Sequence, residues 1–130
     1  MNTKPKPTVL IADDQPDIFR LLQLTLEPVD VQLLEADNAD DAWRLAQSGR
    51  PSVAILDIMM PGAFDGLEVC RRIKSTKATQ HCFVILLTAR GQTADVKAGE
   101  RAGADAYVIK PFSPLELVSL VESALGRINR

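Results

Sequence analysis

The chain has 130 residues, enough for one domain with a real hydrophobic core and short for two. Hydrophobic residues make up 46% and charged residues 25%, an ordinary globular mixture. The formal net charge of -2 weighs against non-specific nucleic-acid binding, which needs an excess of Lys and Arg to meet phosphates.

Residues 1–7 read as a loose basic tail. The apolar run that follows, Val9 to Ala12, is far shorter than the roughly 7–15 residues of a secretory signal. The longest apolar run, Phe83 to Leu87, falls well short of the roughly 18 residues of a membrane span. A cytoplasmic protein with neither membrane nor nucleic acid as partner is expected.

Val9-Leu10-Ile11-Ala12 reads as the first strand. A first helix follows, with Pro16 tolerated in its first turn, Ile18, Leu21, Leu22 and Thr25 on one face, and Pro28 ending it. Val31 to Glu35 is a second, more polar strand, suited to a sheet edge. The second helix has Asn38 as N-cap, Ala39, Ala42, Trp43 and Ala46 on its inner face, and Gly49 as its stop. Trp43 therefore reads as core. Val53-Ala54-Ile55-Leu56 is the third strand, and a third helix runs from about Asp65 to Lys74. Phe83 to Leu87 is the fourth strand. A fourth helix spans about Gln92 to Ala102, with Ala94, Ala98 and Ala102 as its ridge and Gly103 as its stop. Ala106-Tyr107-Val108-Ile109 is the fifth strand. A fifth helix runs from about Pro114 to Leu125, with Leu117, Val118, Val121 and Leu125 inward and Leu115 and Leu120 at the edges of the stripe.

Strands one, three, four and five are continuous apolar runs, the pattern of parallel strands buried on both faces. Five strand–helix alternations imply one α/β domain, a doubly wound parallel sheet with helices on both faces, over residues 8–126, with 127–130 as its C-terminal end. Cys70 and Cys82 read as reduced thiols, since no CxxC or Cys/His cluster suggests zinc. His81 reads as a loop residue.

The chemistry collects at strand ends. The first strand ends in Asp13-Asp14, the third in Asp57, the fourth in Thr88 and the fifth in Lys110-Pro111. In a parallel sheet these ends share one edge, where ligands bind at the reversal of strand order. Clustered carboxylates repel unless a cation lies between them or some are protonated. Hard oxygen donors without Cys or His select magnesium, and manganese fits the same set. A metal beside a Lys and a Thr is a site for phosphoryl oxygens. A carboxylate attacking phosphorus gives an aspartyl phosphate, and Asp57, following a buried strand in mid-sheet, is the best nucleophile. Singly, each residue has a plainer explanation. Asp13 or Asp14 could cap the first helix, Thr88 the next one, and Lys110 could be an exposed lysine. The agreement of four strand ends favours the functional reading.

The chain closely resembles the receiver domains of two-component response regulators. The resemblance runs from Val9 to about Leu125, through Val9-Leu-Ile-Ala-Asp-Asp14, Ile55-Leu-Asp-Ile-Met-Met-Pro-Gly62, Asp65-Gly66, Leu87-Thr-Ala89 and Gly103-Ala-Asp-Ala-Tyr-Val-Ile-Lys-Pro-Phe112. It implies a flavodoxin-like (βα)5 fold with strand order 2-1-3-4-5. It also implies that Asp57 takes a phosphoryl group from a phosphohistidine on a sensor histidine kinase or histidine phosphotransfer protein. Asp14 would bind magnesium directly, Asp13 mostly through water, and the backbone carbonyl of Met59 would be a further ligand beside Asp57. Lys110 and Thr88 would bond phosphoryl oxygens, and the small Ala89 would leave room for them. The Lys110–Pro111 bond would be cis. Thr88 and Tyr107 would form the switch, the ring turning inward as Thr88 moves, which reshapes the face of the fourth helix, fifth strand and fifth helix. Gly99, costing roughly 1 kcal/mol in a helix interior, and the small-residue ridge suit the fourth helix to moving; the alternative is a helix packed close to the sheet.

The resemblance also marks Met59 and Arg90 as flanking the phosphoryl group and influencing its lifetime. The Pro61–Gly66 loop is one residue longer than the commonest family spacing. Phe64 is then expected either to protrude beside the site or to pack on the third helix. A single-domain regulator that binds a downstream target when phosphorylated is expected, as monomer or phosphorylation-dependent dimer. It would catalyse its own phosphorylation and dephosphorylation without being a conventional turnover enzyme. The alternatives are a phosphorelay shuttle to a histidine phosphotransfer protein, or a receiver cut from a larger regulator or hybrid kinase. A haloacid-dehalogenase-type phosphatase would need a second Asp where Met59 stands, and a flavodoxin would not place Asp13-Asp14 against a flavin phosphate.

Overall fold

The computed structural model describes residues 5–89 and 93–128. Arg90, the Gln92 start of the fourth helix, residues 1–4 of the tail and residues 129–130 lie outside the described residues. The elements run β1 (Thr8–Ala12), α1 (Pro16–Leu26), β2 (Gln32–Ala36), α2 (Ala39–Gly49), β3 (Val53–Asp57), α3 (Gly66–Ser75), β4 (Phe83–Ala89), α4 (Thr93–Ala102), β5 (Ala106–Lys110) and α5 (Pro114–Ile128). All strands pair in parallel in the order β2-β1-β3-β4-β5. This is the five-stranded, flavodoxin-like arrangement that the family resemblance implied. No helix among the described residues is long and apolar enough to cross a membrane.

Side chains alternate across each strand, and here that alternation builds two cores. Leu10, Ala54, Leu56, Val84 and Leu86 meet Ala39, Ala42, Ala46, Val69, Cys70 and Ile73 of α2 and α3. Val9, Ile11, Val53, Ile55, Ile85 and Leu87 meet Leu22 and Leu26 of α1 and Leu117, Val121 and Ala124 of α5. A strand covered on both faces has no polar position, which is why β1, β3 and β4 read as unbroken apolar runs. β5 departs from that reading. It is the second edge of the sheet, its residues are half-buried, and Ile109 is 51% exposed.

The caps follow local chemistry. Asn38 accepts from the Asp41 amide at the start of α2, and Asp65 accepts from the Glu68 amide at the start of α3. Gly49, expected to stop α2, is instead its last residue, and Arg50 takes the left-handed cap position at φ 45°. Trp43 packs against the core as expected.

One expectation needs correction. The ridge of α4 is not Ala94, Ala98 and Ala102. Ala94 is exposed, and the buried positions are Gly99 and Ala102. A Cβ on Gly99 would come within 2.7 Å of both Leu86 Cδ1 and Tyr107 Cε1, so the glycine lets α4 lie directly on these side chains. Of the two expectations for Phe64, packing holds and protrusion does not. It packs against the core, and the Arg72 guanidinium of α3 lies 4.0 Å from its ring centroid. The longer loop is tied to α2 instead, through Ala39 N–H to the Pro61 carbonyl (3.0 Å) and Ala63 N–H to Asp40 Oδ2 (3.1 Å).

Candidate functional site

Parallel register brings the strand ends level. Ala12 pairs with Leu56, Asp57 with Leu87, Thr88 with Ile109 and Ala89 with Lys110. Asp13 and Asp14 therefore emerge beside Asp57, with Thr88 on its other side and Lys110 one strand further. Carboxylate oxygens of Asp13, Asp14 and Asp57 all lie within 4.8 Å of one another.

The burial is uneven. Asp13, Asp57 and Thr88 are buried, while Asp14 faces solvent. Lys110 Nζ lies 2.8 Å from Asp13 Oδ2 and 3.2 Å from Asp57 Oδ1, bridging the two buried carboxylates. Asp57 Oδ1 also accepts from the Met59 amide at 3.3 Å, and Asp13 Oδ1 from the Gln15 amide at 2.8 Å. Desolvation is the main cause that raises the Asp57 pKa above the ordinary carboxylate range, and the Asp13 charge adds to it. The Lys110 ammonium and the Met59 amide pull the other way without cancelling it. Among the described residues the site is thus short of positive charge.

The donor set fits a hard divalent cation: three close carboxylates, with no thiol and no imidazole grouped with them among the described residues. These residues open on a cleft of about 250 Å³ lined by Asp14, Gln15, Asp57, Met59, Thr88, Ala89, Asp95 and Lys110, among others. Met59 presents its side chain to solvent, 73% exposed, and its backbone to the site. The Lys110–Pro111 peptide bond is cis.

A sequence model of the response regulator receiver domain matches residues 9–122. The chain belongs to the response regulator receiver domain family. Its receiver fold is shared with solved relatives. The signal receiver domain of a signal transduction histidine kinase from Syntrophus aciditrophicus superposes with a TM-score of 0.87 at 31% identity, over 95% of this chain and 93% of that one. The BeF3-activated DrrB receiver domain gives 0.82 at 31% identity, over 93% and 98%. In sequence, this receiver is 40% identical over 130 residues to the transcriptional regulatory protein ResD of Bacillus subtilis, covering 100% of this chain and 52% of ResD. The chain spans about half the length of the curated relative it matches.

Three residues of this receiver's site escaped the sequence reading. Gln15 Oε1 accepts from Lys110 Nζ at 3.3 Å; only its place after Asp13-Asp14 hinted at this. Asp95, in the first turn of α4, lines the cleft; its place early in the helix after the Thr88 strand was the available signal. Gly66 backs Asp57, since a Cβ there would lie 2.1 Å from the Asp57 carbonyl oxygen.

Tyr107 packs against the α2–α3 side of the core, and its hydroxyl is enclosed without a hydrogen-bond partner among the described residues. Desolvation first, and the Glu100 charge second, raise its phenol above the ordinary value.

Proposed function

We propose that the chain is a phosphorylation-activated switch that takes a phosphoryl group onto Asp57 from a phosphohistidine of a sensor kinase or phosphotransfer protein. The observation that carries this reading is the buried Asp57 carboxylate, held by one lysine beside two further aspartates at the mouth of a small cleft. One Asp57 oxygen attacks phosphorus in line. The P–N bond breaks, its electron pair stays on the imidazole nitrogen, and an acyl phosphate remains on Asp57. Asp14, Asp13, Asp57 and the Met59 carbonyl would hold the cation, and Lys110 leaves its carboxylate bridge to meet a phosphoryl oxygen. A magnesium or manganese ion, when bound, offsets the charge on the phosphoryl oxygens. Thr88 supplies a hydroxyl donor at the far wall, and the small Ala89 leaves that wall open.

The output is a protein contact through α4, β5 and α5. Thr88 and Tyr107 connect the cleft to that face, where Ile109 and Leu115 stand 51% and 83% exposed. A cytoplasmic setting suits a kinase-fed switch of this kind. The match to about half of ResD favours a second reading of the same switch, as the receiver portion of a larger regulator whose other part reads that face.

Acetyl phosphate with magnesium tests the acceptor role. Intact mass is expected to rise by one phosphoryl group in the wild-type protein, and in neither an Asp57→Ala control nor a magnesium-free sample. A folded protein that gains no mass would overturn the reading.

A further inference from the structure

Asp95, in the first turn of α4, lines the cleft together with Asp14, Asp57, Thr88 and Lys110. With Asp13, Asp14 and Asp57 it makes four aspartates at this end of the sheet, and among the described residues the cleft lining holds one cation, Lys110. A divalent cation held by Asp13, Asp14 and Asp57 would meet the charge of those aspartates, and Asp95 is not one of that cluster. Converting the Asp57 carboxylate to an acyl phosphate adds negative charge and three oxygens inside the same small space. At a partly buried site such like charges are weakly screened, and their repulsion favours any displacement that separates them.

The element that carries Asp95 is suited to such a displacement. α4 rests on the sheet through Gly99 and Ala102, with no large buried side chain of its own. The Gly99 backbone lies against the Tyr107 ring. A shift of α4 therefore alters the packing of Tyr107, whose enclosed hydroxyl has no bond to lose among the described residues.

We propose that Asp95 is a positioning residue that couples the charge on Asp57 to the seating of α4. This rests on Asp57 being the phosphoacceptor. The plainer role of Asp95 is an acid in the first turn of a helix, where it meets the positive end of the helix dipole. That role acts equally whether Asp57 is modified or not, which separates the two.

The test is amide hydrogen exchange of peptides covering residues 93–102 in the full chain, with magnesium, before and after acetyl phosphate treatment. Intact mass fixes the phosphoryl occupancy, so variants are compared at equal occupancy. In the wild-type protein, exchange in α4 is expected to rise on phosphorylation by about fivefold or more, the lower end of ordinary coupling between sites. Asp95→Asn, which keeps the shape, is expected to lose most of that rise, and Asp95→Glu to keep it. An Asp95→Asn protein with the wild-type rise, or with faster exchange in both states alike, would overturn the proposal. A wild-type protein that takes up phosphoryl with no change in α4 would overturn this coupling alone. One that takes up none would overturn the coupling together with the acceptor reading beneath it.

Discussion

Gly66 presses its Cα side against the backbone of Asp57, so closely that an added methyl would lie 2.1 Å from the Asp57 carbonyl oxygen and 2.9 Å from the Ile58 Cα. The Gly66 amide donates to the Ile58 carbonyl at 3.0 Å, which fixes the start of α3 behind β3. Backbone cannot give way as the tip of a side chain can. Gly66→Ala is therefore expected to destabilise the fold by about 1–3 kcal/mol, the ordinary cost of overpacking. It should also slow phosphoryl uptake, because the strain falls on the acceptor's own peptide. Urea unfolding and the rate of acetyl phosphate labelling check the two parts.

The raised pKa of Asp57 makes stability depend on pH in a definite sense. Between the ordinary carboxylate value and the raised one, the folded state binds more protons than the unfolded state, so stability falls as pH rises through that window. At neutral pH the ionised Asp57 is a cost to the fold. Asp57→Asn is expected to be more stable than wild type in metal-free buffer at pH 7, and to lose that advantage as pH falls toward the ordinary value. Magnesium should reverse the order, stabilising the wild-type protein more than the variant. Thermal unfolding across pH, with chelator and with magnesium, measures both effects.

Gly99 sits under opposing forces. Alanine would gain about 1 kcal/mol of helix propensity. Its methyl would meet Leu86 Cδ1 and Tyr107 Cε1 at 2.7 Å, and Leu86 is fully buried. Overpacking of about 1–3 kcal/mol outweighs the gain. Gly99→Ala is expected to be destabilised on balance and to displace the Tyr107 ring, the softer neighbour. A changed near-ultraviolet circular dichroism signal from tyrosine, with far-ultraviolet helix content kept, is the expected result.

Cys70 and Cys82 are buried, and desolvation pushes each thiol up to about 12. The thiolate is the reactive form. Iodoacetamide at pH 8 is expected to leave the folded protein unmodified and to add two groups in urea, as intact mass would record.

The legible part of this fold was the part in which one strand carries its own signal. β1, β3 and β4 are covered on both faces, so their residues are apolar without interruption, and the polar residue that ends each run marks the shared edge. Asp13, Asp57 and Thr88 were found by that break. α4 was misread because it has few apolar residues. Alanine and glycine leave the phase of such a helix undetermined, and Gly99, read as a source of looseness, is where the helix comes closest to the sheet. β5 read as a strand buried on both faces because its apolar residues also serve the exposed face at Ile109. The roles of Gln15 and Asp95 depend on approaches between distant segments, at which their places in the chain only hinted, and Gly66 was read as part of a motif without its contact to the Asp57 backbone. The two readings of Phe64 differed only in rotamer and packing, and its stacking with Arg72 decided between them.

The most direct measurement is the position of the acyl phosphate. Borohydride reduces an aspartyl phosphate to homoserine, which peptide mass spectrometry locates. After acetyl phosphate and magnesium, homoserine is expected at position 57 and at neither 13 nor 14, and chelation of the metal should abolish it. Homoserine at position 13 or 14 with Asp57 intact, or a folded and metal-loaded protein that yields none, would contradict the account.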